Sequence, residues 1–390
     1  MIDFNFYNGT ELVFGKGREN EVGEYAAKYG KKVLLHYGGG SIKDTGLYDR
    51  VVKSLKEQGM EIIELPGVKP NPRLSLVREG IEICRKEKID LILAVGGGST
   101  IDSAKAIAIG VPYDGDVWDF FTGKAAPEQS LPVATILTIP AAGSESSTGS
   151  VITNEEGWFK KASAENYLIY PKFSILNPEL AFTLPKNQIA NGVSDILAHL
   201  FERYFTNTKK VELIDRMIEA VIKTVAGNAY AVMKDHEDYD AWSEIMLGGT
   251  YAHNNSLSAG RATDWASHMI EHEISGIYDV AHGAGLAIVF PAWMKYNYKN
   301  DVDRFVQFAT RVWNVDNDYF DKEKTALAGI AAYERFLTDM GLPVRLSDID
   351  IGGDRIEEMA SKATGDDSYT LGGFVKLNKA DIEKILKLAE

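Results

Sequence analysis

Two apolar runs early in the chain, residues 31–37 (KKVLLHY) and 90–95 (DLILAV), each stop at three consecutive glycines. A helical pattern follows both, over residues 47–58 after the first and from Ile101 after the second. A third run at residues 61–65 leads through the proline-broken loop VKPNPR, centred on Asn71, into a helix over residues 74–87. Strand, tight turn and helix at this spacing predict parallel βαβ units, since only a crossover helix can return the chain to the same end of a sheet. Residues 133–138 (VATILT) predict another buried strand, and residues 151–153 and 173–176 two short ones, with Lys161 between them. The alternation over residues 4–14 predicts an opening strand, able to pair within the chain or across a dimer. Beyond Pro185 the pattern changes to long amphipathic runs, such as residues 211–226, 240–254 and 302–313. A chain of 390 residues is too long for one simple core. The expected architecture is an α/β domain with a parallel sheet over residues 1–180 and an all-α domain over residues 181–390.

The helical half carries a dense stretch of histidine, ASHMIEHEISGIYDVAHGAG at residues 266–285, with three of the seven histidines of the chain. His268 and His272 are one helical turn apart on one face, and His282 follows at a glycine-rich turn. Upstream, ANGVSDILAHLFERY places Asp195 and His199 in the same i,i+4 relation. Any single pair of this kind is ordinarily a pair of satisfied helix residues. Two pairs and a His-Gly turn together point to a divalent ion such as Zn(II) or Fe(II), which neutral imidazoles and one carboxylate suit. The zinc-protease pattern is absent, because Gly276 stands where its second histidine would be.

The glycine turns predict a second site. Glycines between a buried strand and a helix let backbone N–H groups approach a phosphate at the positive end of the helix dipole. Residues 96–100 (GGGST) fit this, with Ser99 as a hydroxyl donor, but they match neither the GxGxxG nor the GK[ST] spacing. By residue type alone, Asp102 reads as a complement to the helix dipole, and Lys105 and Lys161 as solvated surface. At residues 38–41 (GGGS) no acidic residue occupies the turn, and Ser41 and Lys43 lie just beyond. A 2′-phosphate there would meet donors and no carboxylate, which favours NADP over NAD.

The totals bound the function. A formal charge of −14 argues against a nucleic-acid partner, and no apolar window is long enough to predict a membrane span. Without a signal-peptide pattern at its start, the chain is expected to be cytoplasmic. The single Cys84 excludes an internal disulfide and a cysteine-built metal site, and it reads as a half-buried apolar residue.

Taken together, GGGSTIDSAKAIA, PAAGSES, ANGVSDILAHLFE and SHMIEHE…AHGAGLAIVFP resemble the iron-containing alcohol dehydrogenases. The branch it most resembles is the butanol dehydrogenase and aldehyde reductase group, whose YGGGSxKxTG turn is matched by residues 37–46. The resemblance implies an N-terminal dinucleotide-binding domain and a C-terminal helical domain for metal and substrate. It implies Asp195, His199, His268 and His282 as ligands of one Fe(II) or Zn(II) ion, and His272 beside the nicotinamide as the catalytic histidine. Toward NADP, or NAD, it implies Gly39, Ser41, Asn71, Gly97, Gly98, Ser99, Asp102, Thr138 and Lys161. The PAAGSESS turn is shorter than the PTTxGTGSE of many members, so nothing is carried over onto residues 142–147. The implied reaction is hydride transfer between NAD(P)H and a short- to medium-chain primary alcohol or aldehyde, with the ion polarising the substrate oxygen. A homodimer joined through the opening strand is also implied.

Two other readings compete. A metal-dependent enzyme of the same fold acting on a phosphorylated polyol or sugar would need clustered Lys and Arg, and the cations between Asp195 and His282 are scattered in the sequence. An inert metal-binding protein would have no use for two glycine turns suited to phosphate. Among the aromatic residues, Trp265, Tyr251, Phe120 and Phe121 are candidates for an apolar pocket, although each residue type is more often plain core.

Overall fold

The computed structural model describes residues 1–163 and 166–390. The chain divides into two compact units. One comprises Tyr7–Leu184 and His236–Asn254, and the other Met1–Phe6, Pro185–Asp235 and Asn255–Glu390. The main change of unit thus falls at Leu184 and Pro185, where the residue pattern changes, while two short segments belong with the other part of the chain.

The first unit is built on a six-stranded parallel sheet. Its strands are β1 (Glu11–Phe14), β2 (Lys32–Tyr37), β3 (Glu61–Leu65), β4 (Leu91–Gly96), β5 (Val133–Leu137) and β8 (Phe173–Leu176), in the order β1-β8-β5-β4-β2-β3. Strands β6 (Val151–Asn154) and β7 (Phe159–Ala162) form a separate antiparallel hairpin. The helices of this unit are α1 (Val22–Ala26), α2 (Ser41–Asp44), α3 (Leu47–Glu57), α4 (Leu74–Glu87), α5 (Gly98–Gly110), α6 (Asp119–Thr122) and, from later in the chain, α9 (Tyr239–His253).

Successive residues of the central strands feed opposite faces. Val33, Leu35, Leu91, Leu93 and Val95 pack with α1 and α3, whereas Leu34, Ile92 and Ala94 pack with α4 and α5. Both faces are covered, which is why these strands read as continuous apolar runs rather than alternating ones. The opening strand is shorter than its alternation predicts. Only Glu11–Phe14 pairs, with β8 inside the chain, while Phe4, Phe6 and Tyr7 are exposed. Cys84 is fully buried on α4, not half-buried.

The second unit holds α7 (Lys186–Tyr204), α8 (Glu212–Lys234), α10 (Ala266–Tyr278), α11 (His282–Asn297), α12 (Val302–Arg311), α13 (Lys322–Asp339), α14 (Ile356–Thr364) and α15 (Lys379–Leu388). Helix α11 is apolar nearly all round and lies against α7, α10, α13 and α15. Phe201, Phe205, Phe290, Trp293, Phe305 and Phe308 interlock around it. A buried ionic layer ties the helices as well: Asp215 accepts from Arg261 at 2.7 Å and from Arg304 at 2.8 Å. Burial works against the Asp215 carboxylate, but the two guanidinium groups outweigh it and hold its pKa below the ordinary range.

His36 couples the sheet to α5. Its Nδ1–H donates to the Leu65 carbonyl at 2.8 Å, which leaves Nε2 to accept from the Ser103 hydroxyl at 2.8 Å. Burial pushes its pKa down from 6.5 to about 4. The folded state therefore keeps it neutral, and an unfolded chain binds a proton there first as the pH falls. Its contribution is complete above about pH 6.5 and is lost on going down toward pH 4. Urea unfolding at pH 7 and pH 4.5 is expected to show wild type losing about 2 kcal/mol more than His36→Gln over this interval. Equal losses would show that the buried imidazole has no such linkage.

Candidate metal and cofactor sites

Helix α7 presents Asp195 and His199 one turn apart, α10 presents His268 and His272, and α11 begins at His282. Two local features bring the last of these inward. The Ser194 hydroxyl donates to the Gly283 carbonyl at 2.7 Å. A Cβ at Gly283 would stand 2.0 Å from the Asn191 carbonyl oxygen, so only glycine lets α11 start so close to α7.

The result is a convergent cluster. Asp195 Oδ1 lies 3.3 Å from His199 Nδ1, 3.9 Å from His268 Nε2 and 3.8 Å from His282 Nε2. Donors around an ion at about 2.1 Å stand about 3.4 Å apart, so these separations suit a divalent cation. Asp195, His268 and His282 form the tight trio, with ligand atoms all within 4.8 Å of one another, and His199 borders it with its ring 4.7 Å from that of His268. Asp195, His199 and His268 are buried, whereas the His282 side chain is a quarter exposed, so the cluster is reached from its side. His272 is buried one turn after His268, with its ring 5.7 Å from His282.

Sequence reasoning missed the two carboxylates that aim these imidazoles. Glu202 accepts from His268 Nδ1 at 2.6 Å, from the His268 backbone N–H at 3.2 Å and from the Trp265 N–H at 2.6 Å. Glu271 accepts from His282 Nδ1 and from the Ser275 hydroxyl. Each bond puts the proton on Nδ1 and turns Nε2 toward Asp195, the support a metal-ligating imidazole needs. Both carboxylates are fully buried, and burial pushes Glu202 up to about 8 against its two backbone donors. A usable signal was present: each glutamate sits three residues after a candidate ligand histidine, on a helix face that is otherwise buried.

Trp265 belongs to this site and not to the plain core. It caps α10 in the left-handed region (φ 71°), which is strained for a bulky residue, and its ring lies 5.1 Å from His268 and 5.9 Å from His199. Phe120 and Phe121 are core residues of the sheet unit, and Tyr251 is exposed on α9.

In the sheet unit, Gly39, Ser41, Asn71, Gly97, Gly98, Ser99 and Thr138 follow the carboxyl ends of parallel strands, where open α/β sheets take ligands, whereas Asp102 lies within α5 and Lys161 on the separate hairpin. Gly97 follows β4, and α5 starts within the glycine run, at Gly98 rather than Ile101. A Cβ at Gly97 or Gly98 would stand 3.0 Å from Ile139 or 2.7 Å from Ala142, so these glycines also serve close packing. Ser99 lies in the first turn of α5, and the Thr138 N–H bonds the Gly96 carbonyl at 3.0 Å. Asn71, after β3, is buried and holds φ 54°. Lys161 is exposed on β7, a strand that the residue pattern did not reveal.

Two expectations are corrected. Asp102 does more than complement the helix dipole, since it accepts from the Ser144 hydroxyl at 2.5 Å and the Val151 N–H at 2.9 Å. Lys105 is fully buried rather than solvated, donating to Ser144 Oγ at 3.0 Å and to the carbonyls of Ser147 at 2.9 Å and Gly149 at 3.0 Å. Burial lowers its pKa to about 8.

Gly39 is exposed with open space around it, Gly40 has φ 137°, and Ser41 opens α2. A carboxylate does approach this turn, although it does not come from the turn itself. Glu64 of β3 accepts from the Tyr37 hydroxyl at 2.6 Å and the Tyr48 hydroxyl at 2.5 Å.

Known proteins similar to this chain cover both of its parts. Residues 9–178 match the family model described as iron-containing alcohol dehydrogenase, and residues 189–389 its C-terminal counterpart. The chain is 46% identical over 388 residues to a probable NADH-dependent butanol dehydrogenase of Bacillus subtilis, covering 99% of each. It is 35% identical over 367 residues to an NADPH-dependent aldehyde reductase of Escherichia coli, covering 93% of each. The crystal structure of an NADH-dependent butanol dehydrogenase from Thermotoga maritima superposes with a TM-score of 0.96 at 41% identity, covering 100% of this chain and 99% of that one. The chain belongs to the iron-containing alcohol dehydrogenase family.

Proposed function

We propose that the protein is a metal-dependent alcohol dehydrogenase and aldehyde reductase. It transfers hydride between NAD(P)H and a short- to medium-chain primary alcohol or aldehyde of the butanol and butanal type. One observation carries the reading: Asp195, His268 and His282 converge, with both imidazoles held by buried carboxylates. With His199 beside them they form a donor set acceptable to Fe(II) and Zn(II) alike. An ion held there supplies Lewis acidity toward the substrate oxygen.

The remaining tasks fall to the chain itself. Glu202 and Glu271 keep the imidazoles oriented, and the buried walls exclude water. His272 is assigned the proton that the substrate hydroxyl loses or gains, either orienting it or passing it on. The cofactor phosphates are assigned to Gly97, Gly98 and Ser99, with Asn71, Asp102, Thr138 and Lys161 around them, and the adenosine ribose to Gly39 and Ser41. With Lys43 beyond that turn, NADPH is accommodated and NADH remains usable.

An uncharged substrate suits the helical unit better than a phosphorylated one. Arg203 is committed to Ser258 and the His199 carbonyl, and Arg261 to Asp215 and two backbone carbonyls. The same proposal includes a cytoplasmic homodimer. Strand β1 is an edge strand, and Phe4, Phe6, Tyr7, Leu12 and Phe14 are exposed along its segment. Among the described residues no helix is long and apolar enough to cross a membrane. Sedimentation at micromolar concentration is expected to give twice the chain mass, and a monomer would refute the dimer.

Protein prepared without oxygen and loaded with Fe(II) or Zn(II) is expected to oxidise NADPH or NADH with butanal and to stop on addition of a chelator. His268→Ala should cost at least roughly 10- to 100-fold in metal affinity or activity. His272→Gln should keep its metal and lose kcat. If neither cofactor is oxidised across short aldehydes, the assignment fails.

The role of Glu202 is separable. Glu202→Gln is expected to weaken metal binding about 10-fold or more while the far-ultraviolet circular dichroism stays that of wild type. Unchanged metal affinity would leave Glu202 as a packing residue only.

A further inference from the structure

Beside the turn that follows β2 lies a charge arrangement with no part in the chemistry described so far. Glu64 takes a hydroxyl bond on each carboxylate oxygen, from Tyr37 at 2.6 Å and from Tyr48 at 2.5 Å. The Lys43 ammonium sits over the same two rings, 5.3 Å and 4.7 Å from their centroids. Tyr37 immediately precedes Gly38, so the carboxylate is anchored by the residue that begins the turn. Two backbone bonds lock the exit of β3 to that turn, from the Val68 N–H to the Tyr37 carbonyl at 3.2 Å and from the Gly67 N–H to the Gly38 carbonyl at 3.1 Å. Glu64 remains an anion: partial burial opposes the charge, but the two phenols and Lys43 outweigh it and hold its pKa below the ordinary carboxylate range.

We propose that Glu64 is a specificity-determining residue that sets the balance between the two nicotinamide dinucleotides by offsetting Lys43 where the 2′-phosphate of NADPH binds. The inference rests on the assignment of the adenosine ribose to Gly39 and Ser41. The ribose 2′-hydroxyl of NADH is neutral and gains or loses little from a Lys–Glu pair. A 2′-phosphate is strongly anionic at neutral pH and needs an uncompensated cation. Lys43 would be that cation, yet Glu64 already matches its charge and, fixed through the same rings, repels a second anion. Glu64 therefore holds down NADPH affinity without touching the reacting atoms, and Tyr37 and Tyr48 spend their hydroxyls on Glu64 instead of on a phosphate.

The test is isothermal titration of wild type, Glu64→Gln and Lys43→Ala with NAD⁺, NADP⁺ and 2′,5′-ADP, at low and high salt, together with melting temperatures. Glu64→Gln is expected to raise NADP⁺ affinity relative to NAD⁺ roughly 5- to 10-fold, the size of an exposed, screened like-charge effect. The gain should extend to 2′,5′-ADP and shrink at high salt. Lys43→Ala should move the ratio the opposite way. A ratio unchanged within about two-fold, or an equal loss for both dinucleotides with a lower melting temperature, overturns the proposal and leaves Glu64 structural. Wild type that binds neither dinucleotide would instead overturn the cofactor assignment itself, and the inference with it.

Discussion

Two fully buried carboxylates, Glu202 and Glu271, organise the helical unit. A carboxylate taken out of water costs several kcal/mol unless its oxygens are bonded. Glu202 on α7 meets that requirement only when the start of α10 presents the His268 imidazole and the N–H groups of Trp265 and His268. Glu271 on α10 meets it only when α11 begins with His282 against it. The chain of dependence runs from α7 to α10 to α11. Helix packing and imidazole orientation are therefore the same set of contacts, and misplacing either helix would strand a buried polar group as well as disperse the ligands. The left-handed Trp265 fits this account, because its N–H is held by Glu202 and its ring lies under the Arg203 guanidinium at 5.0 Å.

The sheet unit uses a different device. Its strands are held by apolar burial on both faces, and its loops by polar groups set on α5. Asp102, Ser103 and Lys105 lie within one turn of that helix and reach Ser144, His36 and the carbonyls of residues 147 and 149. The helix that offers its N-terminus to a phosphate is thus also the post to which the surrounding turns are tied.

Most of the architecture was legible because it rests on period and punctuation. Strands β2, β3, β4, β5 and β8 are apolar runs with turn residues at their ends, and α4 occupies residues 74–87 as its pattern predicts. Strand β7 was not legible, since FKKA is short, mostly exposed and paired in an antiparallel hairpin with β6. Within the chain the opening strand is shorter than its alternation, because residues 4–10 find no strand partner there and only Glu11–Phe14 pairs with β8. Residue type misled at Lys105, where a lysine is taken for surface until its acceptors are known. The ligand residues were legible as i,i+4 pairs within single helices. Their supporting carboxylates were marked only by position, three residues after His199 and His268, and which imidazole Glu202 holds was not legible because it meets His268 across 66 positions of chain.

The buried amine of Lys105 has a consequence for how this protein can change. Its amine is solvated by the turn at residues 144–149 in place of water, so the turn is shaped around a buried donor. Position 105 and the length of the PAAGSESS turn are consequently one heritable unit. A longer turn would withdraw acceptors from a buried amine with nowhere else to go, and replacing the lysine alone would leave inward-facing carbonyls without a donor. A change in the length of this loop and a change at position 105 therefore have to come together, with the second turn of α5 and the turn it holds altered as one piece.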